Sequence, residues 1–109
     1  MPSITNVTSG TQTATINTEH TLSTQTTADV FVLAVNVTNN AAADILELRA
    51  KTKVLTGGSA VEAVVFTITG VQTEKVVWIE VPSEWSCEFT LKQTAGTGRS
   101  YEWSIAKAS

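Results

Sequence analysis

The sequence predicts an all-β domain, a two-sheet antiparallel β-sandwich of about eight strands with a jelly-roll-like arrangement, and an immunoglobulin-like sandwich is the alternative. Three observations support this fold class. Apolar and polar side chains alternate with a period of two along much of the chain, the spacing that places residues on opposite faces of a strand. Threonine, which is stiff at χ1 and fits a pleated surface, is abundant, mostly before position 40. Glycine, asparagine and proline separate the apolar runs at short intervals, as the turns of a sandwich require.

Four strands are predicted in the first half of the chain. Residues 11–17 and 19–26 consist largely of threonine, which favours an edge position or an extended contact along a neighbour. Residues 29–38 are apolar at odd and even positions alike, so we expect a central strand covered on both faces. In residues 46–54, apolar or small side chains alternate with charged ones, which predicts a strand with one buried and one wet face.

A helix over residues 41–53 is the main alternative for this segment. Its Ala, Leu, Glu, Arg and Lys residues favour helices, and Asn40 is a suitable N-cap. At helical spacing, however, Ile45, Leu48 and Thr52 form only part of an apolar stripe. The alternation of residues 46–54 has no exception, so the strand is favoured.

Four more strands are predicted in the second half. Residues 61–69 and 74–81 are rich in Val, Ile, Phe and Trp and are similar to the central strand. Residues 86–93 and 101–107 alternate regularly, which predicts two half-buried strands. Their expected core side chains are Cys87, Phe89, Leu91, Tyr101, Trp103 and Ile105. The turn signals between strands are Gly10, Asn39–Asn40, Gly57–Gly58, Gly70, Pro82–Ser83 and Gly96–Thr97–Gly98.

Length and charge limit the classes of protein to consider. A chain of 109 residues fits one domain over residues 1–109, with residues 1–10 as a candidate extended N-terminal segment. A net charge of −3 argues against a nucleic-acid partner. We expect no membrane partner and synthesis in the cytoplasm, because the N-terminus is unlike a signal peptide and no apolar run is long enough to span a bilayer.

Residues that carry chemistry are few and scattered. The single His20 and single Cys87 stand in no nucleophile motif, and Cys87 alternates with core residues, which indicates an inert buried thiol. The spacing of His, Cys and carboxylates matches no metal site. A pair of carboxylates can catalyse glycoside hydrolysis, and Glu80, Glu84 and Glu88 are close in sequence. However, Glu88 is on the solvent-facing side of a strand and Glu84 is in a turn. We therefore expect no enzyme activity, no catalytic residue, no cofactor and no metal.

Two tryptophans are candidates for exposure. Trp78 shares a face of its strand with Val76 and Glu80, and Trp85 follows a turn. Exposed Trp is enriched at interaction hot spots because it buries a large area while losing few rotamers. The alternative, in which both rings cap the core at the sheet ends, remains equally open.

Two segments resemble parts of small proteins encoded by tailed bacteriophages and prophages. They are LELRAKTKVLTGG (residues 46–58) and TLKQTAGTGR (residues 90–99) leading to Trp103, with EHTL (residues 19–22) as a third, weaker match. The resemblance covers about a third of the chain and brings no catalytic residues. It implies a virion structural protein similar to capsid decoration, or cement, proteins, which sit on the outer capsid as β-sandwich oligomers and bridge capsomers. The implied partners are the major capsid protein and the chain itself, as a homodimer or homotrimer.

The expected interface combines the two tryptophans with the threonine-rich edge. A strand edge with few charges is poorly protected against pairing with another chain. The candidate interface residues are Trp78, Trp85, Arg99, Thr11, Thr13 and Thr15. The alternatives are a carbohydrate-binding or lectin-like module, in which Trp78 or Trp85 stacks on a sugar ring, and a tail-associated virion component.

Overall fold

A computed structural model describes residues 4–55 and 57–108, and these residues form eight β-strands and no helix. The prediction of an all-β fold of about eight strands is therefore confirmed. The strands are β1 (Ile4–Thr13), β2 (Glu19–Gln25), β3 (Asp29–Asn36), β4 (Ile45–Thr52), β5 (Val61–Thr69), β6 (Val76–Ser83), β7 (Cys87–Ala95) and β8 (Ser100–Ala108).

The strands form two four-stranded antiparallel sheets, a first sheet ordered β1-β8-β3-β6 and a second ordered β2-β7-β4-β5. The pairings are nested, because β1 pairs with β8, β2 with β7, β3 with β6 and β4 with β5. The same nesting arises when one long hairpin is rolled up and its successive strand pairs join alternate sheets. This is the jelly-roll arrangement. The predicted jelly-roll-like sandwich is thus confirmed at the level of strand order.

The core lies between the sheets and is built from one face of each strand. In β4, Leu46, Leu48 and Ala50 are fully buried, whereas Glu47 and Arg49 lie on the outer face. The helix alternative for this segment is wrong, because β7 and β5 pair with β4 on its two sides. Tyr101, Phe31 and Phe89 are the largest fully buried side chains. Trp103, which was expected in the core, is partly buried and packs against it.

The expectation that β3 is covered on both faces is wrong. β3 is central in the first sheet, but only its inward residues, such as Leu33 and Val35, are buried, and the outward residues Val32 and Ala34 are half-buried. The same holds more strongly for β5, where most side chains are exposed. Apolar residues on both faces of these strands therefore reflect an apolar outer surface and not a third layer.

Two differences in strand bounds follow from pairing. β1 begins at Ile4 and pairs with β8 from there, so residues 4–10 of the candidate N-terminal segment belong to the sheet, and its residues 1–3 lie outside the described residues. Gly10 lies within this strand and not in a turn, and a Cβ at Gly10 would meet the Trp103 indole at 3.3 Å. Pro82 and Ser83 end β6, an edge strand, where a missing N–H does not interrupt the sheet.

The connections divide between the two ends of the sandwich. Ile4 pairs with Ala108 at one end, here called the terminal end, which also carries the β2–β3, β4–β5 and β6–β7 connections. The opposite end carries the β1–β2, β3–β4, β5–β6 and β7–β8 connections. The edge strand β1 contacts the edge strand β2 of the other sheet, so these two strands lie on one lateral side of the sandwich and the edge strands β5 and β6 lie on the other.

Candidate interaction surfaces

An exposed indole borders a shallow depression on the outer face of the first sheet. Trp78 of β6 is 66% exposed and pairs with Ala34 of β3, which pairs in turn with Ser104 of β8. Because the next two residues across the sheet are small, they leave open space beside the indole. The depression has a volume of about 300 Å³. It is lined by Ala34, Asn36, Val76, Trp78, Glu102, Trp103 and Ser104.

Asn36 and Glu102 form a polar rim to this depression. The amide nitrogen of Asn36 donates to Oε1 of Glu102 at 3.0 Å. The amide oxygen of Asn36 accepts from the backbone N–H of Thr38 at 3.0 Å and from its hydroxyl at 2.6 Å. These bonds fix the amide and hold the carboxylate beside Trp78. An aromatic surface next to an oriented carboxylate suits a polyhydroxylated ligand such as a sugar ring.

Trp85 lies at the terminal end and is already engaged in a hydrogen bond. Its Nε1–H donates to the backbone carbonyl of Val54 at 3.0 Å, which ties the β6–β7 connection to the β4–β5 connection. Trp85 is 42% exposed, and Val54 and Leu55 beside this bond are 73% and 70% exposed. The three residues form an apolar cap on this end of the sandwich.

The exposed apolar side chains are concentrated on one lateral side. Ten large hydrophobic residues are exposed in the described part of the chain, and nine of them lie on β5, on β6 or in the connections next to these strands. We call this surface the apolar side. Its residues are Val54, Leu55, Val61, Val65, Phe66, Val71, Val76, Trp78 and Trp85. Concentrations of this kind on a small domain mark interaction sites.

The threonine-rich strands lie on the other lateral side. Thr11 and Thr13 are exposed on the β1 edge, and Thr15 is exposed in the connection that follows. The hydroxyl oxygens of Thr13 and Ser100 are 3.0 Å apart, within hydrogen-bond distance. The structure therefore separates the three threonines from the two tryptophans that were predicted to share an interface with them.

Arg99 is held by a buried carboxylate and is not a free surface charge. Its Nε donates to Oδ2 of Asp44 at 2.9 Å, and Asp44 is 1% exposed. Asp44 also accepts from the backbone N–H groups of Ala41 at 2.8 Å and Thr97 at 3.1 Å. Burial disfavours the ionised form of Asp44, but these hydrogen bonds and the Arg99 guanidinium outweigh it and hold the pKa of Asp44 below its ordinary value.

A second buried cluster joins the β3–β4 and β7–β8 connections. The Tyr101 hydroxyl donates to the side-chain oxygen of Asn40 at 2.8 Å, and burial raises the pKa of Tyr101 to about 12. The side-chain amide of Gln93 donates to the carbonyl of Thr97 at 2.7 Å and accepts from the backbone N–H of Arg99 at 3.1 Å. The TLKQTAGTGR segment thus builds an internal hydrogen-bond network at the opposite end, which gives it a structural role.

Arg49 organises charges on the outer face of the second sheet. Its guanidinium donates to Glu47 at 2.6 Å and to Glu62 at 2.8 Å. The hydrogen bond to Glu47 is the main reason why the pKa of Arg49 is raised. Among the described residues, the Nε of Arg49 is buried and has no hydrogen-bond acceptor.

Lys51 extends this charged face toward β2 and β7. Its Nζ lies 3.2 Å from Glu19 and 4.0 Å from Glu88. The hydroxyl of buried Thr90 donates to Glu19 at 2.6 Å, and this hydrogen bond is the largest cause that lowers the pKa of Glu19. Charges of both signs are thus paired within the sheet, in contrast to the apolar side.

Cys87 and His20, which were considered for nucleophilic catalysis, make contacts within the fold. Cys87 is buried, as predicted, and burial raises the pKa of its thiol to about 11. The Nε2 of His20 accepts the backbone N–H of Thr15 at 3.2 Å. Over residues 4–55 and 57–108, no group of three His, Cys, Asp or Glu residues is placed to hold a metal ion. Within the same residues, no helix is long and apolar enough to cross a bilayer.

Comparison with protein-family models, with curated proteins and with solved structures finds no match to this chain.

Sequence reasoning missed several residues that shape these surfaces. Ala34, Asn36 and Ser104 border Trp78 only because β6, β3 and β8 pair in one register. Phe66 was expected to be covered and is 44% exposed. Two signals pointed to the depression: the alternation in 101–107 placed Glu102 and Ser104 on one face, and Trp78 was a candidate for exposure.

Proposed function

We propose that this chain is a non-enzymatic structural protein of a bacteriophage particle, a decoration or cement protein on the outer capsid surface. In this role it binds the major capsid protein and further copies of itself, after synthesis in the host cytoplasm. The observation that carries the proposal is the apolar side, which gathers nine of the ten large hydrophobic residues that are exposed within the described part of the chain. The resemblance of residues 46–58 and 90–99 to phage proteins gives the proposal its biological setting.

The distribution of surface chemistry supports binding over catalysis. Asp44, Arg99 and Tyr101 hold two connections together, and Cys87 is packed in the core. The apolar cap around Trp85 and Leu55 is the kind of surface that a protein partner covers. Many copies on a lattice would hold by avidity, so each contact needs only modest strength.

Capsid binding can be tested by co-sedimentation with assembled particles that lack this protein. Leu55→Asp places a charge in the apolar cap, and we expect it to weaken binding by about tenfold or more, since burying an unpaired charge at an interface is costly. Val7→Asp is the matched control, because Val7 is an exposed apolar residue on the other lateral side. Failure of the wild-type chain to sediment with particles would overturn the proposal, as would equal binding by the two variants.

A carbohydrate-binding function is the second candidate, favoured by the depression at Trp78. Stacking on the indole would supply apolar contact, and the carboxylate of Glu102 and the hydroxyl of Ser104 would bind sugar hydroxyl groups. A glycan array tests this directly with Trp78→Ala and, as control, Trp85→Ala at the terminal end. Binding that is lost only in Trp78→Ala would favour this function, and an array without binding by the wild-type chain would exclude it for the glycans tested.

A further inference from the structure

β5 is the edge strand with the least protection against pairing. Natural edge strands carry charges, prolines or bulges that prevent contact with other strands. The regular part of β5, residues 64–69, has none of these, and its sequence is VVFTIT. The only charge in the strand, Glu62, is held by Arg49 of its own sheet and precedes the bulge opposite Ala50 and Lys51.

The other three edges differ. β1 has a register shift between Asn6 and Thr8 and mainly polar side chains. β2 has a register shift between Thr21 and Ser23. β6 contains a charged residue and Pro82, which lacks the N–H that a neighbouring strand would bind. Among the described edge strands, residues 64–69 of β5 therefore offer the longest apolar stretch that is free of charge, proline and register shift.

Phe66 shows that the sandwich is open along β5. It pairs with Leu48, which is fully buried, so the Phe66 side chain is on the inward face of the second sheet. It is nevertheless 44% exposed, because no further strand lies beyond β5. Val65 on the outward face is 48% exposed. A strand added to this edge would cover apolar side chains on both faces of the sheet.

We propose that two copies of this chain pair antiparallel through β5, about a two-fold axis near Phe66, and form a continuous eight-stranded sheet. With Phe66 opposite its own copy, Val64 faces Ile68 and Val65 faces Thr67 of the second copy. Residues that face each other lie on the same face of the sheet, so the two cores join edge to edge. No charged residue lies in the paired segment. Every second residue of β5 has a backbone N–H and C=O that do not bond to β4, and these groups would form hydrogen bonds with the second copy.

A second copy is the occupant that this edge fits best. The same apolar segment supplies both sides of the seam, as an isologous interface requires. A seam of six residues is only about 20 Å long, so the side chains must add to the area. Val61 and Leu55, near one end of the seam, are 56% and 70% exposed. The inference deepens the proposed structural function by naming self-association as one of its contacts, and it depends on that function for its biological purpose.

Sedimentation equilibrium over a concentration series tests the pairing. We expect the wild-type chain to reach about twice its mass of 11.6 kDa. Val65→Lys and Thr67→Lys each add an edge charge at an exposed position, and we expect each to weaken dimerisation by about tenfold or more. Val7→Lys is the matched control, an exposed valine on β1 at the other lateral side, and should dimerise as the wild type does. Circular dichroism establishes that each variant retains its β-structure.

Single-cysteine substitutions along residues 64–68 test the register. Directly opposed residues in an antiparallel pair are about 4.5 to 5.5 Å apart at Cα, within the range for a disulfide, whereas diagonal neighbours are too distant. We expect oxidation to link copies most readily at position 66, while buried Cys87 stays unlinked.

The outcomes separate this inference from the proposed function. A monomeric wild-type chain, equal effects of Val65→Lys and Val7→Lys, or absence of a crosslinking maximum in residues 64–68 would overturn the pairing. A monomeric wild-type chain that still binds particles would overturn the pairing alone. A dimeric chain that does not bind particles would overturn the capsid function and leave the pairing intact.

Discussion

Replacing Asp44 with asparagine is expected to destabilise the fold by roughly 2 to 3 kcal/mol at neutral pH, the range for losing hydrogen bonds to a charged group. Asp44 is almost fully buried, and its two carboxylate oxygens accept three N–H groups, from Ala41, Thr97 and Arg99. An asparagine keeps only one acceptor oxygen and turns an NH₂ group toward the donors that the other oxygen bound. The loss stays below that for a fully buried ion pair, because Arg99 is 36% exposed and can be solvated.

Urea denaturation between pH 7 and pH 2 is the assay. The folded-state pKa of Asp44 lies below its ordinary value of 3.8. Its stabilisation is therefore present above the unfolded-state pKa and is lost as the pH falls through the folded-state pKa. The difference in unfolding free energy between wild type and Asp44→Asn should accordingly shrink in acid. Asp29→Asn is the control, because Asp29 is only half-buried and its carboxylate accepts only the N–H of Val30 among the described residues.

Two results would refute this reasoning. An Asp44→Asn variant with the same stability as Asp29→Asn at neutral pH would mean that the three hydrogen bonds contribute nothing net. A large stability difference that stays constant down to pH 2 would mean that the ionised carboxylate is not its source. Either result would mean that the Asp44 carboxylate does not hold the Arg99 guanidinium in place, so Arg99 would be available for an interface.

Three further predictions concern stability and reactivity. Gly96→Ala should destabilise the fold by about 2 kcal/mol or more in thermal unfolding, because Gly96 has a φ of +88° and a Cβ there would overlap Asp44. Gly57→Ala is the control and should have little effect, because a Cβ at Gly57 would lie in open space. Equal melting temperatures of the two variants would contradict this. Tyr101→Phe should cost about 1 to 2 kcal/mol in urea unfolding, since it leaves a buried amide oxygen without its donor, and an unchanged midpoint would count against the buried network. Cys87 should react with a thiol reagent only in denaturant, because the thiol is buried and its pKa is about 11; rapid reaction of the native chain would show that the core opens there.

Residue patterns were sufficient to predict the fold class and most strands. β4 shows why. Its apolar and charged residues alternate, so only one face of the strand can be buried in the core. The short segments 86–93 and 101–107 were also placed within a few residues of β7 and β8. Local periodicity decides these cases because one face is buried in the core and the other is solvated.

The same reasoning failed where both faces are apolar. Residues 61–69 were placed correctly as a strand, yet they were expected to be covered, and the structure exposes Val65 and Phe66 at an edge. Periodicity within a segment cannot distinguish a central strand from an apolar edge, because the difference lies in which strands are its neighbours. An apolar edge that a partner covers leaves the same pattern in sequence as a buried strand.

The candidate surfaces were predictable only in part. Trp78 was one of two candidates for exposure, with a core-capping position equally open, and its place beside Asn36 and Ser104 depends on pairings between strands far apart in sequence. Arg99 was among the residues expected at an interface. Its partner Asp44 is 55 residues away, so no local pattern reveals that the side chain is held within the fold.

The pairing of Ile4 with Ala108 has a practical consequence for engineering. Because the first and last strands lie side by side, a short linker would close the chain into a ring, and new termini could be opened in the exposed β5–β6 connection between Thr73 and Glu74. In the present strand order, tags attached at Ile4 and at Ala108 would lie next to each other at the same end of the sandwich.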